Sequence, residues 1–308
     1  MSSRSLRGSL LLLLASAIWG AAFAFQRMGM ESMGPHSFNG VRMLLGAAVL
    51  QPVIMLLDRT KKNAEPSTPE AKRRQRKAGL ICGAFLFVAS ALQQVGLITT
   101  TAGKAGFITA LYVVLVPVAA WLLFRKNPGR IVWIGVLLAL VALFLLCVPA
   151  GEFTVQTGDL LVLGCAFCFT GQILAVDHYA PLVDGVRLSR DEFLVTGVLS
   201  MIVALCTETI TWEGIRAAMI PLLYAGVLSS GAGYTLQILG QRDTNPTVAS
   251  LIMCLESVFA TLTGALILGE RMSGRELWGC VLMFAAVILA QLSPVITASL
   301  RRGGRFRR

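Results

Sequence analysis

Ten apolar stretches, each about long enough to cross a bilayer, take up nearly all of this 308-residue chain. A hydrocarbon core ~30 Å thick asks for about 20 apolar residues per helix. No water is present there to satisfy a bare backbone, so each stretch must close its hydrogen bonds internally, as a helix. The spans read as Ser9–Phe25, His36–Leu57, Ala78–Ile98, Ala105–Phe124, Ile131–Val148, Asp159–Val176, Glu192–Cys206, Ala217–Leu239, Pro246–Leu268 and Arg275–Leu292. The seventh is the shortest, cut off by Thr207 and Glu208. Composition agrees: 56% of residues are hydrophobic and 14% charged, a balance that a soluble domain of this size does not need.

A net charge of +11 resembles a nucleic-acid signature until its distribution is read. When the loops are numbered alternately from the N-terminus, one set holds 21 of the 27 basic residues, including Lys72–Lys77, Arg125, Arg130, Arg187, Arg190 and Arg301–Arg308. The other set holds Arg27, Lys104, Arg216, Arg271 and Arg275, and Arg42 alone falls inside a span. Lys/Arg-rich loops stay cytoplasmic. The asymmetry therefore places both termini in the cytoplasm and requires an even number of spans. It reads as a topology signal, with Lys72–Lys77 and Arg301–Arg308 also suited to anionic lipid. No aromatic or folded nucleic-acid module accompanies the tail, so nucleic-acid binding is not expected. Ser3–Ala24 mimics a secretory signal, ending in Ala22-Phe23-Ala24. Its cleavage would leave nine spans and split the basic loops between two sides, so it reads as the first span. The seven cysteines lie in or at the ends of spans. Cys165-x-x-Cys168, without His or a second pair, reads as packing filler rather than a metal or redox site.

Residues 58–77 form the one linker-like stretch, and residues 148–158 divide the chain into two groups of five spans. The halves look related. Lys104–Leu137 gives an apolar helix, a charged hinge and Trp133-x-Gly135; Pro246–Leu282 gives an apolar helix, a charged hinge and Trp278-Gly279. The match needs an insertion of about four residues at the hinge. Because five is odd, a duplicated unit must sit upside down relative to its twin. That is a recurrent plan of secondary transporters, with the site at the midplane between halves.

The ordered pieces Trp19-Gly20-x-x-Phe23, Arg42, Ala91-Leu92, Thr100-Thr101-Ala102, Pro117, Pro246-Thr247-x-Ala249-Ser250, Glu256-Ser257-Val258 and Leu268-Gly269-Glu270-Arg271 carry a family resemblance over residues 9–295. The chain resembles the drug/metabolite transporter superfamily, specifically its EamA-type members. One departure is Ser257, where the family's Glu-Pro-Val would place proline, so the kink expected there is absent or moved. The resemblance implies carriage of small organic solutes, often amino acids or other metabolites and frequently outward.

Polar side chains inside lipid are costly and tend to face a bundle interior or aqueous cavity. Glu256, ~15 Å past Pro246, is read as the only acid well inside a span. It is the first candidate to bind a substrate cation or take up a proton, against a structural acid bonded to backbone or Arg. Arg42, ~9 Å from a span edge, either binds a carboxylate or phosphate or snorkels outward. Trp19 and Tyr112 either wall a cavity or pack helices, as do Phe23, Phe167, Phe169 and Tyr234. Gln93, Gln94, Gln172 and Gln237 either meet a polar solute or clip helices together. Gln93 and Gln94 point in different directions, so at most one faces a cavity. Trp133 and Trp278 read as interfacial anchors, and His178 as a helix-end residue. Ser229-Ser230-Gly231-Ala232-Gly233 reads as a close-approach surface or a bend, and Ala102–Gly106 as a flexible loop. No Walker motif, metal-spaced His pair or nucleophile elbow is present.

These observations predict an all-α membrane protein with ten transmembrane helices in two inverted five-helix repeats. The repeats are 1–148 and 149–297, followed by a basic tail, 298–308. It is expected to be a multi-pass protein of the cytoplasmic membrane that moves a small organic solute outward by alternating access, with proton coupling open. It is expected to act as a monomer or weak homo-oligomer in the lipid bilayer, without cofactor, metal or catalytic residues. Glu256, Trp19, Tyr112, Gln93, Arg42 and Gln172 are the expected substrate contacts. A channel-like uniporter is the alternative. A flippase or membrane enzyme is disfavoured, because the polar residues are single and scattered at mid-depth. A sensor or assembly subunit is disfavoured by the lack of any long loop.

Overall fold

A computed structural model of the chain describes residues 3–60, 68–100, 102–125, 127–148, 155–267 and 272–305. The helices of the first half are α1 (Ser3–Met30), α2 (Pro35–Thr60), α3 (Pro69–Thr99), α4 (Ala102–Thr109), α5 (Tyr112–Phe124) and α6 (Arg130–Cys147). The second half has α7 (Thr157–Tyr179), α8 (Gly185–Thr207), α9 (Trp212–Ala217), α10 (Met219–Leu223), a π-helix (Tyr224–Tyr234), α11 (Thr235–Gln241), α12 (Pro246–Met253), α13 (Leu255–Ile267) and α14 (Gly274–Arg305). Among the described residues, nine stretches are long and apolar enough to cross a membrane. The tenth expected span is α8. Its 23 residues reach ~35 Å at helical rise, but Arg187, Arg190, Asp191 and Glu192 crowd its first two turns.

The starts of these helices follow capping chemistry. Thr68 caps α3 ahead of Pro69, and Asn245 caps α12 ahead of Pro246. Gln156 and Asp159 form a reciprocal capping box on α7. The start of α2 borrows its cap: His36 N and Ser37 N donate to the Glu208 carboxylate at 2.7 and 2.8 Å. Glu208 ends one helix and holds the first turn of another.

The packing follows an inverted repeat. α2 lies against α8, and α6 against α14, each helix facing its own counterpart. α3 packs on α7 as α10, the π-helix and α11 pack on α1. α7 meets α4 and α5 as α1 meets α12 and α13. The fold is therefore all-α, with two five-helix units related by a pseudo-two-fold axis in the membrane plane. Small residues allow the close crossings. A Cβ on Gly20 of α1 would come within 2.6 Å of Phe259 Cβ on α13.

The fourth and ninth expected spans are both broken, and at corresponding places. α4 and α12 have 8 residues each, and α5 and α13 have 13 each. At the breaks the chain tightens into three-residue turns: Val113 N bonds Ala110 O at 3.0 Å, and Ser257 N bonds Cys254 O at 3.2 Å. The breaks touch, with Cys254 Sγ donating to Ala110 O at 3.8 Å. Ser257 thus costs the ninth span no bend, because the interruption lies at Cys254. Pro117 sits inside α5 without breaking it.

Two sequence expectations are corrected. Ala102–Gly106 is the start of α4, not a loop. Residues 69–77 of the expected linker form the first turns of α3, while 61–67 lie outside the described residues. The tail is helical as far as Arg305, with 306–308 outside the description. Leu268–Arg271, Thr101 and residues 149–154 of the central divider also lie outside it.

Candidate functional site

Between the halves lies a narrow cavity of about 50 Å³. Each lining residue arrives from a different local cause. Trp19 comes from the middle of α1, where its indole Nε1 donates to Ser229 O of the π-helix at 3.1 Å. Its ring meets Tyr234 at 4.8 Å between centroids. The small-residue run makes this possible: a Cβ on Gly233 would lie 2.5 Å from Trp19 Nε1. The run is therefore a close-approach surface, and it lies within the π-helix.

Arg42 is 2% exposed and turned inward, which overturns the snorkelling alternative. Its Nε donates to Asn39 Oδ1 at 3.0 Å. Asn39 in turn donates to Ser90 Oγ on α3 and Ser200 Oγ on α8, both at 2.9 Å. This network fixes the guanidinium without neutralising it. Among the described residues Arg42 has no ion pair.

Tyr112 and Glu256 sit in the first turns of α5 and α13, directly after the two breaks, and the phenol approaches the carboxylate. Gln93 donates to Thr109 Oγ1 at 3.2 Å and faces the cavity. Its neighbour Gln94 turns away to Gln26, so the two adjacent amides do point in different directions. Gln172 accepts from Gln237 Nε2 at 3.1 Å, and Gln237 also donates to Gln241 at 3.1 Å.

The cavity thus brings together all six residues singled out in the sequence: Glu256, Trp19, Tyr112, Gln93, Arg42 and Gln172. Phe23, Phe169, Tyr234 and Gln237 join them. Phe167 does not; it is 58% exposed on the bundle's outer face. Trp278 is exposed on that face too, while Trp133 packs partly against the core. Gln26, Thr109 and Ser229 also line the cavity and were not anticipated. Gln26 lies one residue past the expected end of the first span, and α1 in fact continues to Met30.

One expectation is overturned. Glu256 is not the only acid well inside a span, because Glu192 is fully buried in α8. The run of charges before it concealed the true start of the helix. Those charges lie at the bundle's basic end: Arg187 pairs with Asp58 at 2.6 Å, and Arg190 with the adjacent Asp191. At the opposite end Lys104 pairs with Asp159 at 3.7 Å, and Asp159 also accepts from Thr100. Among the described residues no group of His, Cys, Asp and Glu is arranged to hold a metal ion.

The model of the EamA-like transporter family matches residues 6–148 and again 156–292. The chain belongs to the EamA-like transporter family. An uncharacterized transporter of Archaeoglobus fulgidus is 31% identical over 281 residues, which span 91% of this chain and 84% of that protein. A probable amino-acid metabolite efflux pump of Salmonella typhimurium is 24% identical, over 92% of this chain and 95% of its own length. The threonine/homoserine exporter RhtA of Salmonella typhimurium is 26% identical over 59% of each chain. A solved crystal structure superposes with a TM-score of 0.76 at 17% identity, covering 92% of this chain and 96% of that one, which shows the fold. This EamA-type member of the drug/metabolite transporter superfamily is a multi-pass membrane transporter of a small molecule, not an enzyme.

Proposed function

We propose that the chain exports a zwitterionic amino acid or a close relative by alternating access through the central cavity. One observation carries this reading. A single cavity presents an un-neutralised guanidinium from the first half and a carboxylate from the second, among aromatic faces and amides. Arg42 offers a planar fork to the solute carboxylate. Glu256, with Tyr112 beside it, receives the ammonium group. Trp19, Tyr234 and Phe169 stack on the side chain, and Gln93 and Gln172 satisfy further polar groups. The broken helices place the openings of α5 and α13 at this point, as transporters with discontinuous helices do. The relatives named for amino-acid efflux favour the same class of solute and the outward direction. The bundle's basic end, where the termini lie, faces the cytoplasm by the charge rule. Each chain carries a complete cavity, so transport needs no second copy.

The test uses purified protein in proteoliposomes, with labelled threonine and homoserine as probes. Counterflow driven by unlabelled solute inside is expected, since a carrier exchanges and a channel-like uniporter does not. Glu256→Ala is expected to raise the apparent KM at least tenfold, the worth of about 1.4 kcal/mol. Unchanged transport in Glu256→Ala would sink the assignment of that residue.

A further inference from the structure

We propose that Glu192, not Glu256, is the group that loads and releases the coupling proton. The inference rests on the carrier reading above. Glu192 is the eighth residue of α8, ~10 Å inside that helix, and is fully buried. Among the described residues, neither of its carboxyl oxygens has a hydrogen-bond partner, and neither does the neighbouring Gln172 Nε2. The Gln172 amide approaches the carboxyl without a bond of normal geometry, while its carbonyl is occupied by Gln237. A bare carboxylate with no donors, out of water, costs several kcal/mol, whereas the neutral acid is tolerated. The packing seen here is therefore that of the proton-loaded acid.

The surroundings explain how loading is linked to the solute. The ionisable groups facing Glu192 are Cys82 on α3 and Tyr234 on the π-helix, both in electrostatic range. Arg42 on α2 lies beyond Tyr234, and α11 contributes the amides Gln237 and Gln241. On its own helix Arg190 and Asp191 are paired with each other. No described cation is paired with Glu192. Gln172 is the donor that approaches Glu192, and Gln172 and Tyr234 are both cavity walls. Glu192 itself stands behind that wall, not in it. A solute that turns the Gln172 amide changes the donor offered to Glu192, and one that moves Tyr234 changes the electrostatic field there. Solute and proton are then coupled reciprocally through two side chains. The step changes one O–H bond: a proton joins a carboxyl oxygen from one side of the membrane and leaves to water on the other, while the solute moves oppositely.

Two readouts test this. In infrared titration of the purified protein, which needs no solute, the wild type is expected to show a protonated-carboxyl C=O band. Glu192→Gln is expected to remove that band, and Glu256→Gln to retain it. A band that survives in Glu192→Gln overturns the proposal. In proteoliposomes with an acidic lumen, wild-type accumulation of labelled threonine is expected to rise several-fold over the value without a gradient. Glu192→Gln is expected to bring that ratio to one while threonine counterflow persists, and Glu192→Asp to restore gradient sensitivity. Retained gradient stimulation in Glu192→Gln overturns the proposal. So does loss of counterflow in that variant, which would make Glu192 a structural residue. A wild type without counterflow counts against the carrier reading instead, and the infrared result then still decides the proton site.

Discussion

Gly233→Ala offers a sharp probe of the site, because it adds one methyl group outside the binding surface. The new Cβ would stand 2.5 Å from Trp19 Nε1. Ordinary contact begins near 3.5 Å, so the indole must retreat by ~1 Å. It cannot do so freely, because Nε1 is tied to Ser229 O at 3.1 Å and the ring faces Tyr234 at 4.8 Å. A retreat of that size stretches the hydrogen bond past its useful range of about 3.2 Å. Losing the bond costs about 0.5–1.5 kcal/mol, and spoiling the aromatic pair a further ~0.5–1.5 kcal/mol. Expressed in solute affinity, the total corresponds to about a 5- to 150-fold rise in the dissociation constant. The assay is the half-saturation of threonine counterflow in proteoliposomes, read together with Trp19→Phe and the double variant. Trp19→Phe removes the N–H that the methyl group displaces, so Gly233→Ala should add little in that background. Unchanged half-saturation in Gly233→Ala, or effects that simply add in the double variant, would refute the idea that this glycine positions Trp19.

Arg42→Lys keeps the charge but loses the bidentate fork; it should weaken counterflow of a zwitterion yet spare that of the matching decarboxylated amine, and equal losses for both solutes would refute a carboxylate contact. Glu208→Ala leaves His36 N and Ser37 N of α2 without their acceptor; thermal unfolding in detergent should fall by the equivalent of about 1–2 kcal/mol with half-saturation unchanged. With the seven native cysteines replaced by serine, Asn127→Cys, in the turn between α5 and α6, should react with an impermeant maleimide only after spheroplasts are opened, and labelling of intact spheroplasts would reverse the proposed orientation.

The transmembrane count and the inverted plan were legible because bilayer thickness and loop charge act on long stretches of chain. Cavity-lining residues were legible wherever a polar group stood alone in apolar sequence, as Glu256, Arg42 and Gln172 do. The breaks were not. Neither Ala110-Leu111 nor Cys254 carries a Pro or Gly, and the visible Pro117 lies in continuous helix. The interruptions are set by the crossing of two helices, a tertiary effect that no local pattern encodes. Glu192 was hidden for a related reason. Its helix begins in charged residues that pair with each other and with Asp58 at the bundle end, so hydropathy alone started the span seven residues late.

The meeting of the two broken helices has a consequence for how this architecture acquires a direction. Shifting the chain by 144 residues carries Ala110 onto Cys254 and Tyr112 onto Glu256, and these are the very pairs in contact at the crossing. Here the two halves look into a mirror. Elsewhere, a change in one repeat can be echoed far away in the other; at this point each residue faces its own image. A thiol opposite a methyl group, and above all a carboxylate opposite a phenol, make the reflection false at this crossing. The architecture is indifferent to which way is out, so the preference must be written where the image differs from its object. Exchanging Tyr112 and Glu256 would keep every atom of that pair and move the acid from one repeat to the other.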